Sequence, residues 1–255
     1  MDSVAIRLNL NMESVRISKY FTDCGIMSRR AAEAEIEKGN VKVNGVTATL
    51  GQKIDPASDI VEYKGKRVCL PTDEKICVML NKPRGIVTTA SDEKGRADVT
   101  DLCRDVTDSA GKRVRLYPVG RLDMDSDGLL LMTNDGELAN KLTHPRHSIP
   151  KIYHVTLSAI LSEQEVSALG SPIVIDGRET APVTVKKLSQ SDKTTLAQFE
   201  LYEGRNRQIR RMCDAHGAKI QKLTRVAIGN ITLGSLPVGK WRRLADDEVK
   251  YLKEC

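Results

Sequence analysis

Gly120-Arg121-Leu122-Asp123-Met124-Asp125-Ser126-Asp127-Gly128 runs directly into Leu129-Leu130-Leu131-Met132, and the reading of this stretch governs the rest of the chain. Three carboxylates stand between an apolar run at Leu116, Tyr117 and Val119 and another that begins at Leu129. Charge set between buried strands costs burial, so the cluster requires a chemical reason. A metal loop and a catalytic carboxylate are the two candidates. Asp123, Asp125, Asp127 and Gly128 fill the first, third, fifth and sixth places of a calcium-binding loop. The twelfth place, which needs Glu, holds Asn134, and the flanks read as strands where helices are required. Calcium fails on both counts. A magnesium-dependent nuclease site would need further carboxylates converging from elsewhere.

Outward from the acids, the pattern is strand after strand. Residues 76–80 form a buried apolar run, 81–85 a turn and 86–89 a second strand, while 91–113 are polar and read as a surface excursion. Beyond the acids, residues 128–133, 153–157, 183–188, 196–202, 220–223 and 228–233 read as strands. Three helices are expected: 161–169 capped by Ser162, 206–216 ended by Gly217, and 246–253. Many strands with few helices between them predict a mixed, mostly antiparallel α+β sheet with flanking helices.

The N-terminal part is a separate, smaller α+β module. Ile17, Tyr20, Phe21 and Cys24 make one apolar helical stripe, stopped by Gly25. Ser28 caps a second helix that ends at Gly39, and Val41-Lys42-Val43 leads into the hairpin signal Asn44-Gly45. The expected domains are 14–66 and 76–255, joined by a linker at 67–75, with a short tail at 1–13 in which Met12 is a candidate start. Arg16, Lys19, Arg29 and Arg30 crowd two helix starts, where the positive dipole end disfavours cations. Four such cations together are better explained by phosphate contacts than by a solvated face.

Bulk composition narrows the class. Lys plus Arg number 40 against 34 Asp plus Glu, a formal charge of +6 that suits a polyanionic partner. Aromatic residues are only 4%, too few for an aromatic stacking platform. The six cysteines are scattered without a C-x-x-C pair, which predicts reduced thiols and a cytoplasmic location. No apolar stretch approaches a membrane span, and the polar N-terminus is no secretory signal. His144 and His147 flank Pro145 with no partner at ligand spacing, so zinc is not expected. The most basic stretch is Glu203-Gly204-Arg205-Asn206-Arg207-Gln208-Ile209-Arg210-Arg211-Met212. As a helix from Asn206 it would put Arg207, Arg210 and Arg211 on one face, where fork-shaped donors suit phosphate or carboxylate.

Two resemblances join these pieces. Arg16-Ile17-Ser18-Lys19-Tyr20, Gly25-Ile26-Met27-Ser28-Arg29-Arg30-Ala31-Ala32 and Gly39-Asn40-Val41-Lys42-Val43-Asn44-Gly45 resemble the RNA-binding module of bacterial small-subunit ribosomal protein S-four. Its basic helix pair implies docking on structured RNA through Arg16, Lys19, Ser28, Arg29, Arg30 and Lys42. Leu80-Asn81-Lys82-Pro83-Arg84-Gly85, Gly120-Arg121-Leu122-Asp123 with Ser126, Gly128, Leu129 and Leu130, Lys151-Ile152-Tyr153, Gly204 to Met212, and Leu223 with Arg225, Ile228 and Gly229 stand in the order seen in RsuA/RluB/RluE/RluF-type pseudouridine synthases. That resemblance spans residues 15 to about 244.

The family resemblance implies a pseudouridine synthase fold and conversion of uridine to pseudouridine in ribosomal RNA by a monomer, without metal or cofactor. By motif, Asp123 is the nucleophile, on the base or on the ribose, and Arg210 pairs with it. Tyr153 stacks on the target base, Leu223 lines an apolar pocket, and Arg121 displaces the base from its stack. Arg207 and Arg211 are further substrate-binding candidates, and Asp125 and Asp127 read as turn residues. The N-terminal module looks closest to the RluF branch and the catalytic half as much like RluB, both pointing to large-subunit rRNA. A small-subunit synthase and a non-catalytic ribosome-assembly factor are the competing readings.

Overall fold

The computed structural model describes residues 14–69, 74–89, 95–144 and 149–255. The chain divides into two compact units between Asp73 and Glu74, and each is taken by itself.

In the first unit, strand β1 (Val15–Arg16) leads into α1 (Ile17–Asp23) and α2 (Arg29–Glu37), followed by β2 (Val41–Val43), β3 (Val46–Thr47), β4 (Lys53–Ile54), β5 (Val61–Tyr63) and β6 (Lys66–Arg67). Four of these strands make a sheet in the order β3-β2-β5-β6, and β1 pairs with β4. The stripe of Ile17, Tyr20, Phe21 and Cys24 is buried against Ala32, Ile36, Val41 and Val61. The hairpin at Asn44 and Gly45 has φ of 50° and 81°, the left-handed pair that a two-residue turn of matching twist requires. Glu35 ties α2 to the sheet by accepting from Lys38, Asn40 and Tyr63, and these bonds hold its carboxyl down at about 2.

The module runs past the expected boundary at 66. A second tight hairpin, with Lys64 and Gly65 at φ of 49° and 76°, returns the chain onto β5, so Arg67 pairs with Glu62 and Val68 is buried in the same core. Arg67 and Val68, at the start of the expected 67–75 linker, therefore belong to this hairpin and its core. Residues 70–73 of that stretch, the tail at 1–13 and His147 lie outside the described residues.

The second unit is built on one nine-stranded sheet. Its elements are β7 (Cys77–Lys82), a 3₁₀ turn (Asp101–Cys103), β8 (Tyr117–Pro118), β9 (Asp127–Thr133), α3 (Gly136–Thr143), β10 (Lys151–Leu157), α4 (Glu163–Ala168), a small hairpin of β11 (Val174–Ile175) and β12 (Arg178–Glu179), β13 (Thr184–Gln190), β14 (Thr195–Leu201), α5 (Gln208–Ala215), β15 (Ile220–Ile228), β16 (Ile231–Thr232), β17 (Trp241–Arg243) and α6 (Asp246–Glu254). Strand order is β13-β14-β10-β15-β9-β7-β17, with β16 on β15 and β8 on β9. Every residue of β7 and β9 is buried, as expected for central strands covered on both faces. Met79, Leu129 and Leu131 pack with Leu138 and Leu142 of α3 and Leu252 of α6. Val78, Leu80, Leu130 and Met132 pack instead with Val99, Val106, Val114 and Leu122. Farther along the sheet, Val155, Leu157 and Leu223 take the weight of α4 and α5 through Val166, Ile209 and Met212.

All pairings in this sheet are antiparallel except one. β9 and β15 run parallel over two residue pairs, Thr224 with Asp127 and Arg225 with Gly128. Gly128 has φ of 107°, and a Cβ there would lie 2.3 Å from the Arg225 carbonyl oxygen. No other residue fits. Gly128→Ala is expected to cost about 4 kcal/mol, roughly half from backbone strain and half from the clash. The loss would be read as a lower denaturant midpoint at unchanged m-value. A loss below about 1 kcal/mol would show that the two strands can separate at this point without consequence.

Several sequence expectations shift. Residues 86–89 are no strand; Val87 makes a single bridge to Asp98. The described part of 91–113 is no surface excursion, because Val99, Cys103 and Val106 are buried in the core. The two strands expected at 220–223 and 228–233 are one long β15 and a short return, since the buried Arg225 continues the strand that its charge seems to interrupt. Helix α3 was not expected, although Asp135 caps it by accepting from Glu137 and Leu138.

Candidate active site

The turn between β8 and β9 is tethered at each successive backbone carbonyl from Arg121 to Ser126. Arg121 accepts from Arg225 at 3.5 Å, and Leu122 accepts from the Thr88 hydroxyl at 2.6 Å. Asp123 accepts from the Ser126 amide and from Lys82 Nζ, both at 3.1 Å. Met124 accepts from the Gly85 amide at 2.7 Å, Asp125 from Arg210 at 3.0 Å and Ser126 from Lys82 at 2.9 Å. Backbone carbonyls away from water need partners, and here each has one drawn from a distant part of the chain. The result is a rigid platform.

Lys82 is the centre of that platform. It is fully buried, and its ammonium donates to the carbonyls of Pro83, Asp123 and Ser126, with no carboxylate of the described residues in direct contact. Burial pulls its pKa down to about 8, while the nearby charges of Asp127, Asp123 and Asp125 oppose the fall.

The three acids on the platform have unequal surroundings. Asp127 is buried at the start of β9, where it accepts from the Thr224 hydroxyl. Asp125 is gripped by the Arg207 fork, with Nη1 on Oδ1 at 3.1 Å and Nη2 on Oδ2 at 3.2 Å. Burial would raise the Asp125 carboxyl, but the Arg207 bonds and the charges of Arg210 and Arg207 outweigh it, and its pKa falls below the usual carboxylate value. Asp123 differs from both. Its side chain is 31% exposed, and its nearest cations stand off at 3.7 Å (Arg207) and 4.0 Å (Arg210). Among the described residues, no hydrogen-bond donor occupies its oxygens.

Arg210 sits between the two acids. It donates from Nη2 to the Asp125 carbonyl and the Ser126 hydroxyl, and lies 3.3 Å from the Asp125 carboxylate. Its Nε is buried without a hydrogen-bond partner among the described residues and lies 4.0 Å from Asp123 Oδ2. The expected pairing of Arg210 with Asp123 is thus loose, and Asp125, expected as a turn residue alone, is the acid held tightly. The shared arginine face is also corrected. Helix α5 begins at Gln208, and Arg207 precedes it in the left-handed region at φ of 51°, a strained position for a non-glycine residue. Arg211 turns away to Asp176 at 3.0 Å, on the β11–β12 hairpin.

Tyr153 and Arg225 are direct partners across β10 and β15, with Leu223 next on the same face, opposite Val155. Tyr153 is half-buried and packs against both hydrophobic clusters on that side, one of which contains Leu122. Leu223 is buried. Arg121 is exposed at the mouth of the turn. In the first unit, Arg16, Arg29, Arg30 and Lys42 are exposed and have no ion-pair partner among the described residues. Lys19 pairs with Asp23 at 3.1 Å, and the Ser28 hydroxyl caps α2 by accepting from the Ala31 amide.

Lys82, Thr88 and Arg225 carry the platform yet were not among the expected site residues. Lys82 and Arg225 did stand inside the quoted motifs; a lysine at the end of an apolar run and an arginine within a strand were signals of buried charge. Thr88 had no such signal, because its role depends on a contact 34 residues away.

Comparison with known proteins agrees with the geometry. Residues 76–215 match the family model described as RNA pseudouridylate synthase. A relative from Bacillus subtilis (strain 168), named ribosomal large subunit pseudouridine synthase B, is 41% identical over 93% of this chain and 95% of its own length. One from Escherichia coli (strain K12), named dual-specificity RNA pseudouridine synthase RluF, is 38% identical over 92% of this chain and 77% of its own. A crystal structure titled pseudouridylate synthase superposes with a TM-score of 0.64 at 30% identity, covering 94% of this chain and all of that one. With its mixed sheet, its tethered acidic turn and relatives of this identity along nearly its whole length, the chain belongs to the RNA pseudouridylate synthase family.

Proposed function

We propose that this chain converts specific uridines of ribosomal RNA to pseudouridine, with large-subunit rRNA as its target, acting as a cytoplasmic monomer without metal or cofactor. One observation carries the catalytic part. Among the described residues, Asp123 is the carboxylate on the tethered turn whose oxygens no hydrogen-bond donor occupies, and two arginines stand within 4.0 Å of it. As nucleophile it would attack C6 of the uracil or C1′ of the ribose, and the N1–C1′ bond would break. After rotation of the base, a C5–C1′ bond forms, the C5 proton leaves and the carboxylate is released. Arg210 closes its free Nε onto Asp123 as the site loses water. Arg207 acts by holding Asp125, Tyr153 stacks on the base over the Leu223 floor, and Arg121 takes part in displacing the base.

The substrate assignment is supported by the relatives, whose names specify the ribosomal large subunit in one case and dual specificity in the other. The first unit would dock structured RNA as an S-four type module, with Arg16, Arg29, Arg30 and Lys42 on phosphates. Lys19 would join them by exchanging Asp23 for a phosphate, and Ser28 would contribute by fixing the start of α2. Among the described residues no helix is long and apolar enough to cross a membrane, and the cysteines are unpaired, in keeping with a reducing compartment. The test is a pseudouridine map of rRNA from cells with and without the gene. Loss of one or a few defined sites in large-subunit rRNA is the expected result, and an unchanged map would refute the assignment.

A further inference from the structure

Met124 lies between the free acid and the clamped one, and its side chain is half exposed. Single exposed apolar residues are ordinary on protein surfaces. This one is unusual in how its backbone is held. Its own carbonyl is fixed by the Gly85 amide at 2.7 Å, and the carbonyls on either side are fixed by Lys82 and Arg210. Two residues earlier, Leu122 is buried in the core and bracketed by Thr88. The backbone of the turn is therefore firmly held, while the soft, polarisable side chain of the residue that follows Asp123 is half exposed. Exposed Arg84 and Arg121 lie on the same two loops and suit phosphate contacts.

Taking a uridine out of a base-paired stem leaves a gap in the stack, and apolar side chains, methionine among them, fill such gaps in proteins that distort nucleic acids. The thioether also packs well against aromatic rings. We propose that Met124 is a wedge for the RNA: it enters the step vacated by the target uridine and stacks on the neighbouring base, holding the flipped state open while Asp123 reacts. This rests on the reading of the chain as an RNA uridine isomerase and adds to it a contact with the base beside the target. The role needs apolar bulk, not charge, and so differs from that given to Arg121.

The test uses the rRNA hairpin that carries the mapped uridine, and the same hairpin with an abasic site opposite that uridine, so that the target is already unpaired and cheaper to extrude. Met124→Ala is expected to lower kcat/KM about tenfold or more on the paired hairpin and less than about twofold on the unpaired one. Met124→Leu, which keeps the bulk, should stay within about threefold of wild type on both. A 2-aminopurine placed beside the target should brighten on binding wild-type protein and less on binding Met124→Ala. Equal losses on the two RNAs, or no loss on either, would overturn the wedge. Wild-type protein inactive on both would remove the isomerase reading beneath it, and the wedge with it.

Discussion

Asp123→Asn is expected to abolish pseudouridine formation, by at least about 10⁴-fold, while the fold and RNA affinity persist. The substitution keeps the shape of the side chain and removes only its charge and nucleophilicity. Nothing in the platform hangs on that carboxylate. The turn is held through its carbonyls, and the nearest cations contact Asp123 only at 3.7 and 4.0 Å, too far for hydrogen bonds. Stability should therefore change by less than about 0.5 kcal/mol, as for a surface substitution. Thermal unfolding and RNA binding would be measured beside turnover. A variant that is inactive because it no longer folds would contradict the idea that this acid is chemically essential and structurally spare.

Lys82→Met is expected to behave in the opposite way, failing first in structure. Methionine fills most of the same volume but donates nothing. The Asp123 carbonyl would keep the Ser126 amide, whereas the Pro83 and Ser126 carbonyls would lose the bonds from Lys82. The cost is about 3 kcal/mol in total. Release of the turn should also cost at least about 10²-fold in turnover, since a displacement of ~1 Å at the reacting group is enough for that.

The same lysine predicts a pH dependence. Its pKa is about 8 in the folded protein against an ordinary 10.5, so between those values the folded state binds fewer protons than the unfolded one. The lysine's contribution to stability therefore rises through that window, because the buried charge disfavours folding below it. Turnover should move the other way. The neutral amine has two N–H groups for three carbonyls, so activity is expected to fall above about pH 8 even as the protein stays folded. A turnover profile flat to pH 10 would show that the charge on Lys82 does not matter.

Much of the architecture was legible from local chemistry. The Ser162 cap, the Asn44-Gly45 hairpin and the stripe from Ile17 to Cys24 are written within a few residues each, and the structure contains all three. The count and spacing of the strands were enough for a mostly antiparallel sheet. What could not be read depends on register between distant strands. The two-residue parallel contact that requires Gly128 joins β9 to a strand nearly a hundred residues later. The same distance explains the site. Motif order placed Asp123, Arg207 and Arg210 in one neighbourhood, but only the left-handed step at Arg207 aims its fork at Asp125 and sends Arg211 to the other side. Lys82 escaped for a different reason. The apolar run before it hints at burial, but only the fold shows that this lysine is fully buried under the turn it supports.

The central claim is that one carboxylate on the tethered turn reacts and its neighbour only holds arginines. It is tested most directly by tritium release from rRNA labelled at uridine C5, since that hydrogen leaves when the C5–C1′ bond forms. Wild type, Asp123→Asn and Asp125→Asn would be compared on the same transcript. Release by wild type, reduced but measurable release by Asp125→Asn and none by Asp123→Asn is the predicted result. Release by Asp123→Asn, with Asp125→Asn silent, would contradict it and move the reaction to the acid held by Arg207.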